Sequence, residues 1–258
     1  MNIKQKLLSG RKVYGTMLRM VRNPAICLLA KHANLDFIMF DCEYPNYSIE
    51  TLHDLCLMSN ATGIEPLLRA SMLSKDWVSR SLDCGASGVM VPMTESREMA
   101  EELVRWSKYP PLGERGFAAG GAPNGYQRGL KHVEAMQQGN DSVLSIAQIE
   151  TAKAIDNVET IARTTGIDVL LIGPNDLSIS LGVPGDTTGK TVTDAIDKVA
   201  KACKDSGRAF GIHAGAGLLE RYAGQLQFVM MQNDIEILSA GFDSLVSTMK
   251  RIVPDNRE

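Results

Sequence analysis

Glu150 and Asp176 are the side chains whose types and spacing most directly suggest chemistry. Each closes a short apolar run, 143–149 in Gln148-Ile149-Glu150 and 169–172 in Gly173-Pro174-Asn175-Asp176, and each is followed by helix-like sequence. A carboxylate therefore stands where each of two consecutive strands should stop. If those strands are parallel neighbours, the two acids face one small volume. Two carboxylates there, with the other ligand positions left to water and substrate, suit a hard divalent cation such as Mg²⁺ or Mn²⁺, with Co²⁺ also compatible. An acid at such a place also serves as the cap or first-turn residue of the next helix. Its recurrence on consecutive units, after Gln148 in one and Gly173-Pro174 in the other, favours the ligand role.

Positioning such a pair requires parallel strands, and the chain supplies the pattern for them. Apolar runs of strand length (13–17, 37–41, 65–69, 88–91, 143–149, 169–172, 208–212 and 228–231) alternate with amphipathic stretches (24–33, 49–59, 75–83, 95–106, 152–164, 192–205, 218–224 and 241–252). Roughly eight such units predict an α/β fold of the (β/α)8 TIM-barrel kind, one domain over 1–258, with the chemistry at the C-terminal mouth. A doubly wound open sheet is the competing architecture, but no G-x-G-x-x-G follows an early strand. The rhythm breaks between 107 and 142, where Pro110-Pro111 and seven glycines predict a long functional or interface loop with a short helix over 126–138. Residues 177–181 read as a turn.

The strand ends then give a census of the mouth. Asp41, Cys42, Glu43 and Tyr44 follow strand two. Arg69 is the only cation of an otherwise apolar strand three, able to grip a substrate carboxylate or to pair with Asp41 or Glu43. Strand seven ends at His213 among glycines, a catalytic candidate or a structural donor. Arg19, after strand one, either selects a substrate with a distal acid or is a solvated loop residue. A cation site, an arginine and acids together predict a 2-oxo acid such as pyruvate as ligand, its ketone polarised by the ion and its enolate stabilised.

At 258 residues, with 44% hydrophobic and 22% charged residues, the chain can bury a substantial core. A net charge of −3 without long runs of one sign gives no footprint for nucleic acid or an anionic membrane, so small molecules are the expected partners. No apolar run reaches the ~20 residues of a membrane span and the start lacks a signal-peptide core, so the expected location is cytoplasmic. The five cysteines, odd in number and without a C-x-x-C pair, argue against a disulfide framework or zinc site. Cys42, although near the mouth, has no feature that would make it a nucleophile.

The sequence resembles the HpcH/HpaI family of metal-dependent (class II) pyruvate aldolases, from about Leu7 to the last helix. The pieces that carry the resemblance are Phe40-Asp41-Cys42-Glu43, Leu82-Asp83-Cys84-Gly85-Ala86 with Val89-Met90-Val91-Pro92-Met93, Tyr109-Pro110-Pro111-Leu112-Gly113-Glu114-Arg115-Gly116, Gln148-Ile149-Glu150-Thr151 and Ile172-Gly173-Pro174-Asn175-Asp176-Leu177-Ser178. It implies a (β/α)8 barrel with Glu150 and Asp176 holding Mg²⁺ or Mn²⁺. Arg69 and Gln148 would contact pyruvate, with backbone amides around Gly173, Pro174 and Asn175 meeting its carboxylate. It also implies a homo-oligomer, a trimer of dimers that exchanges C-terminal helices, acting as a lyase that releases pyruvate and an aldehyde from a 4-hydroxy-2-oxo acid.

The resemblance breaks at one position. The family's strand-two loop reads Asp-x-Glu-His, the histidine pairing with an aspartate at the position of Asp83 to move the proton, and here that histidine is Tyr44. A phenol with an ordinary pKa near ~10 is a poor base at neutral pH, and losing a placed acid/base typically costs about 10²- to 10⁴-fold. Tyr44 as general acid, His213 as substitute imidazole, and decarboxylation of an oxaloacetate-type acid, which removes no carbon-bound proton, are the three ways the site would still work. A non-catalytic protein that binds the metal and a 2-oxo acid is the alternative.

Overall fold

A computed structural model describes residues 1–44 and 47–254. Eight parallel strands, β1 (Val13–Leu18), β2 (Phe37–Asp41), β3 (Glu65–Arg69), β4 (Gly88–Val91), β5 (Leu144–Ile149), β6 (Val169–Ile172), β7 (Ala209–His213) and β8 (Phe228–Asn233), pair in sequence order. Pairing of β1 with β8 closes the barrel, as expected for the (β/α)8 fold.

Among the described residues twelve α-helices accompany the strands: α1 (Ile3–Leu8), α2 (Ile26–His32), α3 (Ile49–Thr62), α4 (Lys75–Asp83), α5 (Arg97–Ser107), α6 (His132–Ser142), α7 (Ala152–Asp156), α8 (Val158–Ala162), α9 (Pro174–Ser180), α10 (Lys190–Ser206), α11 (Ala216–Arg221) and α12 (Asp234–Ile252).

Strand alternation divides the apolar residues between two cores. Met17, Phe37, Met39, Leu67, Met90, Leu144, Ile146, Val169, Leu171, Phe228 and Met230 fill the barrel, joined from below by Ile3 and Leu7 of α1. Residues of opposite parity, such as Ile38, Phe40 and Leu68 or Val89, Ala147 and Leu170, pack outward against helices. The period of two therefore decides which residue of each strand enters the mouth last. Continuing the inward row leads to Arg19, Asp41, Arg69, Gln148, Gly173 and His213. Gly15 leaves room at the waist, because a Cβ there would lie 2.3 Å from the Phe37 ring, which stacks on Phe228 with centroids 4.4 Å apart.

Several boundaries differ from expectation for local reasons. Residues 177–180 belong to α9, with Leu181 as its C-cap; the helix starts at Pro174, whose fixed φ and missing N–H suit the first helical position. The stretch 152–164 is two helices divided at Asn157, which has non-helical geometry. The expected helix over 126–138 lies instead at α6, after a short 3₁₀ turn at Ala122–Asn124. The final helix begins at Asp234 rather than 241, held by a capping box in which the Asn233 and Glu236 side chains each accept from the other's backbone end. α1, capped by Asn2 and Gln5, has no counterpart in the sequence reading. The long connection 108–131 joins α5 to β5 at the N-terminal end of the barrel, so in its own chain it lies opposite the mouth, where Ala122 packs beside Gly85.

Among the described residues no helix is long and apolar enough to cross a membrane. All five cysteines are free and buried. The Cys42 thiol is pushed up to about 12, chiefly by burial and then by Asp41, which removes it as a nucleophile.

Candidate active site at the barrel mouth

The C-terminal mouth holds a cavity of about 540 Å³ whose lining includes Arg19, Tyr44, Arg69, Gln148, Gly173, Pro174, Asn175, Asp176 and His213. Glu150 stands just behind that wall, 1% exposed. Its Oε1 accepts from the Met93 N–H at 2.8 Å, and its Oε2 accepts from Gln148 Nε2. Met93 reaches it from a left-handed backbone (φ 48), a conformation uncommon for a non-glycine residue and typical of functional sites.

Gly173 completes the cradle. A Cβ at this position would lie 2.5 Å from Glu150 Oε2 and 2.9 Å from Gln148 Nε2, so any side chain would displace both.

The electrostatics of the cradle call for a cation. Burial pushes the Glu150 carboxyl up to about 7, the Met93 hydrogen bond opposes the rise, and the nearby charges of Asp176 and Glu43 add to it. Asp176 lies in the first turn of α9 and is half-buried. Gln148 Oε1 is buried without a hydrogen-bond partner, an acceptor with no donor among the described residues. Two carboxylates and an orphaned carbonyl oxygen form an all-oxygen donor set, which fits a hard divalent ion. Among the described residues no group of three or more His, Cys, Asp or Glu side chains is placed to hold a metal, so water and substrate would complete the coordination.

Arg69 takes up the partners that the alternative reading foresaw. Its Nε and Nη2 donate to Asp41 at 2.8 and 2.6 Å, and its Nη1 meets Glu43 Oε2 at 2.5 Å. Burial works against its charge, but Asp41, Glu43 and Glu150 together outweigh it and the guanidinium pKa is raised. Pairing does not exclude substrate contact, because a guanidinium has five N–H groups and three are used here. Asp41 also meets Arg19, Oδ2 to Nε at 3.1 Å, and the Arg19 guanidinium lies 4.5 Å from the centre of the Tyr44 ring. Arg19 is therefore held in place rather than being a solvated loop residue.

The three candidates for proton handling separate clearly. Tyr44 sits on the cavity, and burial together with Glu43 and Asp176 raises its pKa, which keeps the phenol protonated and able only to donate at neutral pH. His213 Nε2 faces the Gln232 carbonyl at 2.9 Å; a carbonyl only accepts, so Nε2 carries the hydrogen and Nδ1 keeps a lone pair. Burial lowers the His213 pKa, leaving that lone pair available at neutral pH.

Asp83, by contrast, does not reach its own mouth. It ends α4, which runs back to the N-terminal face, and it accepts from Arg115 Nη2 at 2.8 Å. Pro174 likewise has no N–H and the Gly173 N–H donates to the Ile149 carbonyl at 3.4 Å, so of the 173–175 backbone the Asn175 N–H is the one left to meet an anion.

Other mouth residues gave little or no sign in the sequence. Thr187, Thr188, Asn233 and Glu236 line the cavity. Asp234 was equally unforeseen: its carboxylate accepts from the backbone N–H groups of Arg19, Met20 and Val21 at 2.9, 2.8 and 2.7 Å. The Asn-x-x-Glu spacing at 233–236 was the one available signal.

Comparison with known proteins agrees with the fold. The family model described as HpcH/HpaI aldolase/citrate lyase matches residues 17–246. A 2-dehydro-3,6-dideoxy-6-sulfogluconate aldolase of Pseudomonas putida is 33% identical over 221 residues, 85% of this chain and 86% of that protein. A 4-hydroxy-4-methyl-2-oxoglutarate aldolase of Chaetomium globosum is 30% identical over 259 residues, 97% of this chain and 96% of that protein. The crystal structure of an HpcH/HpaI aldolase from Desulfitobacterium hafniense superposes with a TM-score of 0.94 at 32% identity, covering 100% of both chains.

Proposed function

The chain belongs to the HpcH/HpaI aldolase/citrate lyase family, and on that premise we propose that it is a divalent-metal-dependent carbon–carbon lyase that releases pyruvate and an aldehyde from a 4-hydroxy-2-oxo acid. The observation that carries this reading is the cradle at the ends of β5 and β6, where buried Glu150 is held at about 7 beside Asp176 and the unpartnered Gln148 Oε1. Glu150 and Asp176 would hold the ion. When bound, Mg²⁺ or Mn²⁺ supplies Lewis-acid polarisation of the 2-oxo group.

The chain's own residues do the rest. The two uncommitted N–H groups of Arg69 and the amide of Asn175 orient the 2-oxo acid, while Asp41 and Glu43 fix the guanidinium. His213 Nδ1 is the lone pair able to accept the hydroxyl proton as the C–C bond breaks. Tyr44 is the donor able to return a proton.

Tyr44 in place of the family's histidine favours a second reading on the same residues, decarboxylation of an oxaloacetate-type acid, because that step takes no proton from carbon. The relatives' names differ in the half of the substrate beyond the 2-oxo acid, so this chain's own distal residues decide that half.

The quaternary structure is part of the proposal. Along α12 only Asp234 is buried, while Phe242, Leu245 and Met249 are 63%, 54% and 51% exposed. An apolar helix face of this kind fits a homo-oligomer in which C-terminal helices are exchanged, as in a trimer of dimers.

The test is coupled measurement of pyruvate release from a panel of 4-hydroxy-2-oxo acids and oxaloacetate with Mg²⁺, Mn²⁺ and Co²⁺, before and after chelation. Glu150→Gln and Asp176→Asn are expected to abolish both metal binding and turnover. Full activity in metal-free protein would refute the reading. Metal-dependent pyruvate binding without turnover of any substrate would make the protein a binder instead.

A further inference from the structure

The cavity, at about 540 Å³, extends well beyond a pyruvyl unit. Among the described residues that line it, the only guanidinium or ammonium groups are Arg69 and Arg19. Arg69 is committed to the 2-oxo acid end in the reading above, on which the present inference rests. Arg19 has no such task.

Its placement is nevertheless specified by three partners. Its own backbone N–H and those of the next two residues converge on the buried carboxylate of Asp234. Its Nε lies against Asp41 Oδ2, the same oxygen that accepts from Arg69 Nη2. Its guanidinium plane lies over the Tyr44 ring, which Arg69 also approaches at 5.5 Å. The side chain remains 29% exposed, on the cavity.

A guanidinium loses less freedom on binding when a ring and a carboxylate already hold its plane. Using the Nε edge on Asp41 leaves the terminal N–H groups of Arg19 as the fork that grips a carboxylate or sulfonate. We propose that Arg19 is the specificity residue for the electrophile half: it selects short aldehydes that carry a terminal anion, with Asp41, Tyr44 and Asp234 as its positioning residues. The electrophile is short because the two guanidiniums share one anchoring oxygen and one aromatic ring, so the anions they hold lie near one another.

The experiment uses two 4-hydroxy-2-oxo acids that differ only in a terminal carboxylate or carboxamide, with full-length wild-type protein, Arg19→Met and Arg19→Lys. The wild type is expected to prefer the carboxylate. Arg19→Met is expected to lower that preference in kcat/KM by about 10- to 100-fold, the size of one lost charge-assisted hydrogen-bond pair, and mainly through KM. The carboxamide substrate should change by no more than about threefold, and Arg19→Lys should restore part of the preference by its charge alone.

Metal-dependent exchange of the pyruvate methyl protons with D₂O, followed by NMR, separates the two levels of the argument. No exchange in wild-type protein overturns the lyase reading and this inference with it. Exchange retained in Arg19→Met with an unchanged carboxylate preference overturns this inference alone. Exchange lost in a folded Arg19→Met would place Arg19 at the pyruvyl end, which also overturns it.

Discussion

Replacing Gly173 with alanine adds one methyl group at the point where the cradle is tightest. The backbone there (φ −100) is open to any L residue, so the substitution carries no conformational penalty of its own. Its whole effect is steric. The new Cβ would meet Glu150 Oε2 at 2.5 Å, against ordinary contacts of 3.4 Å or more, so the carboxylate has to retreat by close to an ångström. Retreat means losing the Gln148 contact or lengthening the 2.8 Å bond from Met93. Overpacking of this kind costs about 1–3 kcal/mol of stability. A catalytic group misplaced by about 1 Å costs about 10²-fold in rate.

Calorimetric titration with Mn²⁺ and the coupled pyruvate assay are expected to show metal affinity and kcat/KM each down by roughly two orders of magnitude. Folding should be retained. Gly215→Ala is the internal control, since it borders the same cavity but its Cβ would meet nothing within 4 Å, and metal affinity should not change. Unchanged Mn²⁺ affinity and pyruvate release in Gly173→Ala would refute the assignment of Glu150 as a ligand.

The pH dependence of metal binding follows from Glu150, whose carboxyl is raised from 4.5 to about 7 in the fold: apparent Mn²⁺ affinity should fall as pH drops through about 7, with a proton released on binding. In metal-free protein the sign is opposite: the raised pKa stabilises the fold below about 4.5, and that contribution, on the order of 3 kcal/mol, is lost as pH rises through about 7. Comparing melting curves with those of Glu150→Gln isolates it. Asp41→Asn removes one of the two carboxylates on Arg69 and leaves Glu43 as its charged partner, so denaturant midpoints should show a loss of about 1–3 kcal/mol, whereas a neutral outcome would mean Asp41 is not the anchor. Tyr44→Phe should reduce kcat for retro-aldol cleavage by about 10²-fold with little change in KM, and unaltered kcat would show that the phenol donates no proton. Phe242→Glu together with Leu245→Glu on α12 should shift the sedimentation profile to smaller species, and an unchanged profile would mean this face makes no subunit contact.

The barrel was legible because its strands combine short apolar runs with strict alternation. Met39 predicts an inward Asp41, Leu67 an inward Arg69, and Ile146 an inward Gln148, so the mouth can be listed from parity alone once eight units are counted. Glu150 and Asp176 stood out as acids that follow consecutive strands, Glu150 directly after β5 and Asp176 in the first turn of α9 after β6. What sequence could not show was pairing across the mouth. Whether Arg69 faces Asp41, a substrate or both depends on strand register, and that register places Asp41 directly beside Arg69. Asp83 entered only through the resemblance, and in its own chain it ends α4 on the side away from the mouth, paired with Arg115. The start of α12 was missed because its apolar period strengthens only after 241, whereas its true boundary is a polar capping box.

Asp234 occupies the first turn of α12 and grips three consecutive amides of the β1–α2 segment. The rim of the mouth is thus tied, through that side chain, to a helix whose other residues are mostly exposed. A load that tilts α12 travels along that lever to Arg19 before it disturbs any metal-side residue. Shortening or unseating the helix should therefore loosen the choice of aldehyde first and the release of pyruvate later.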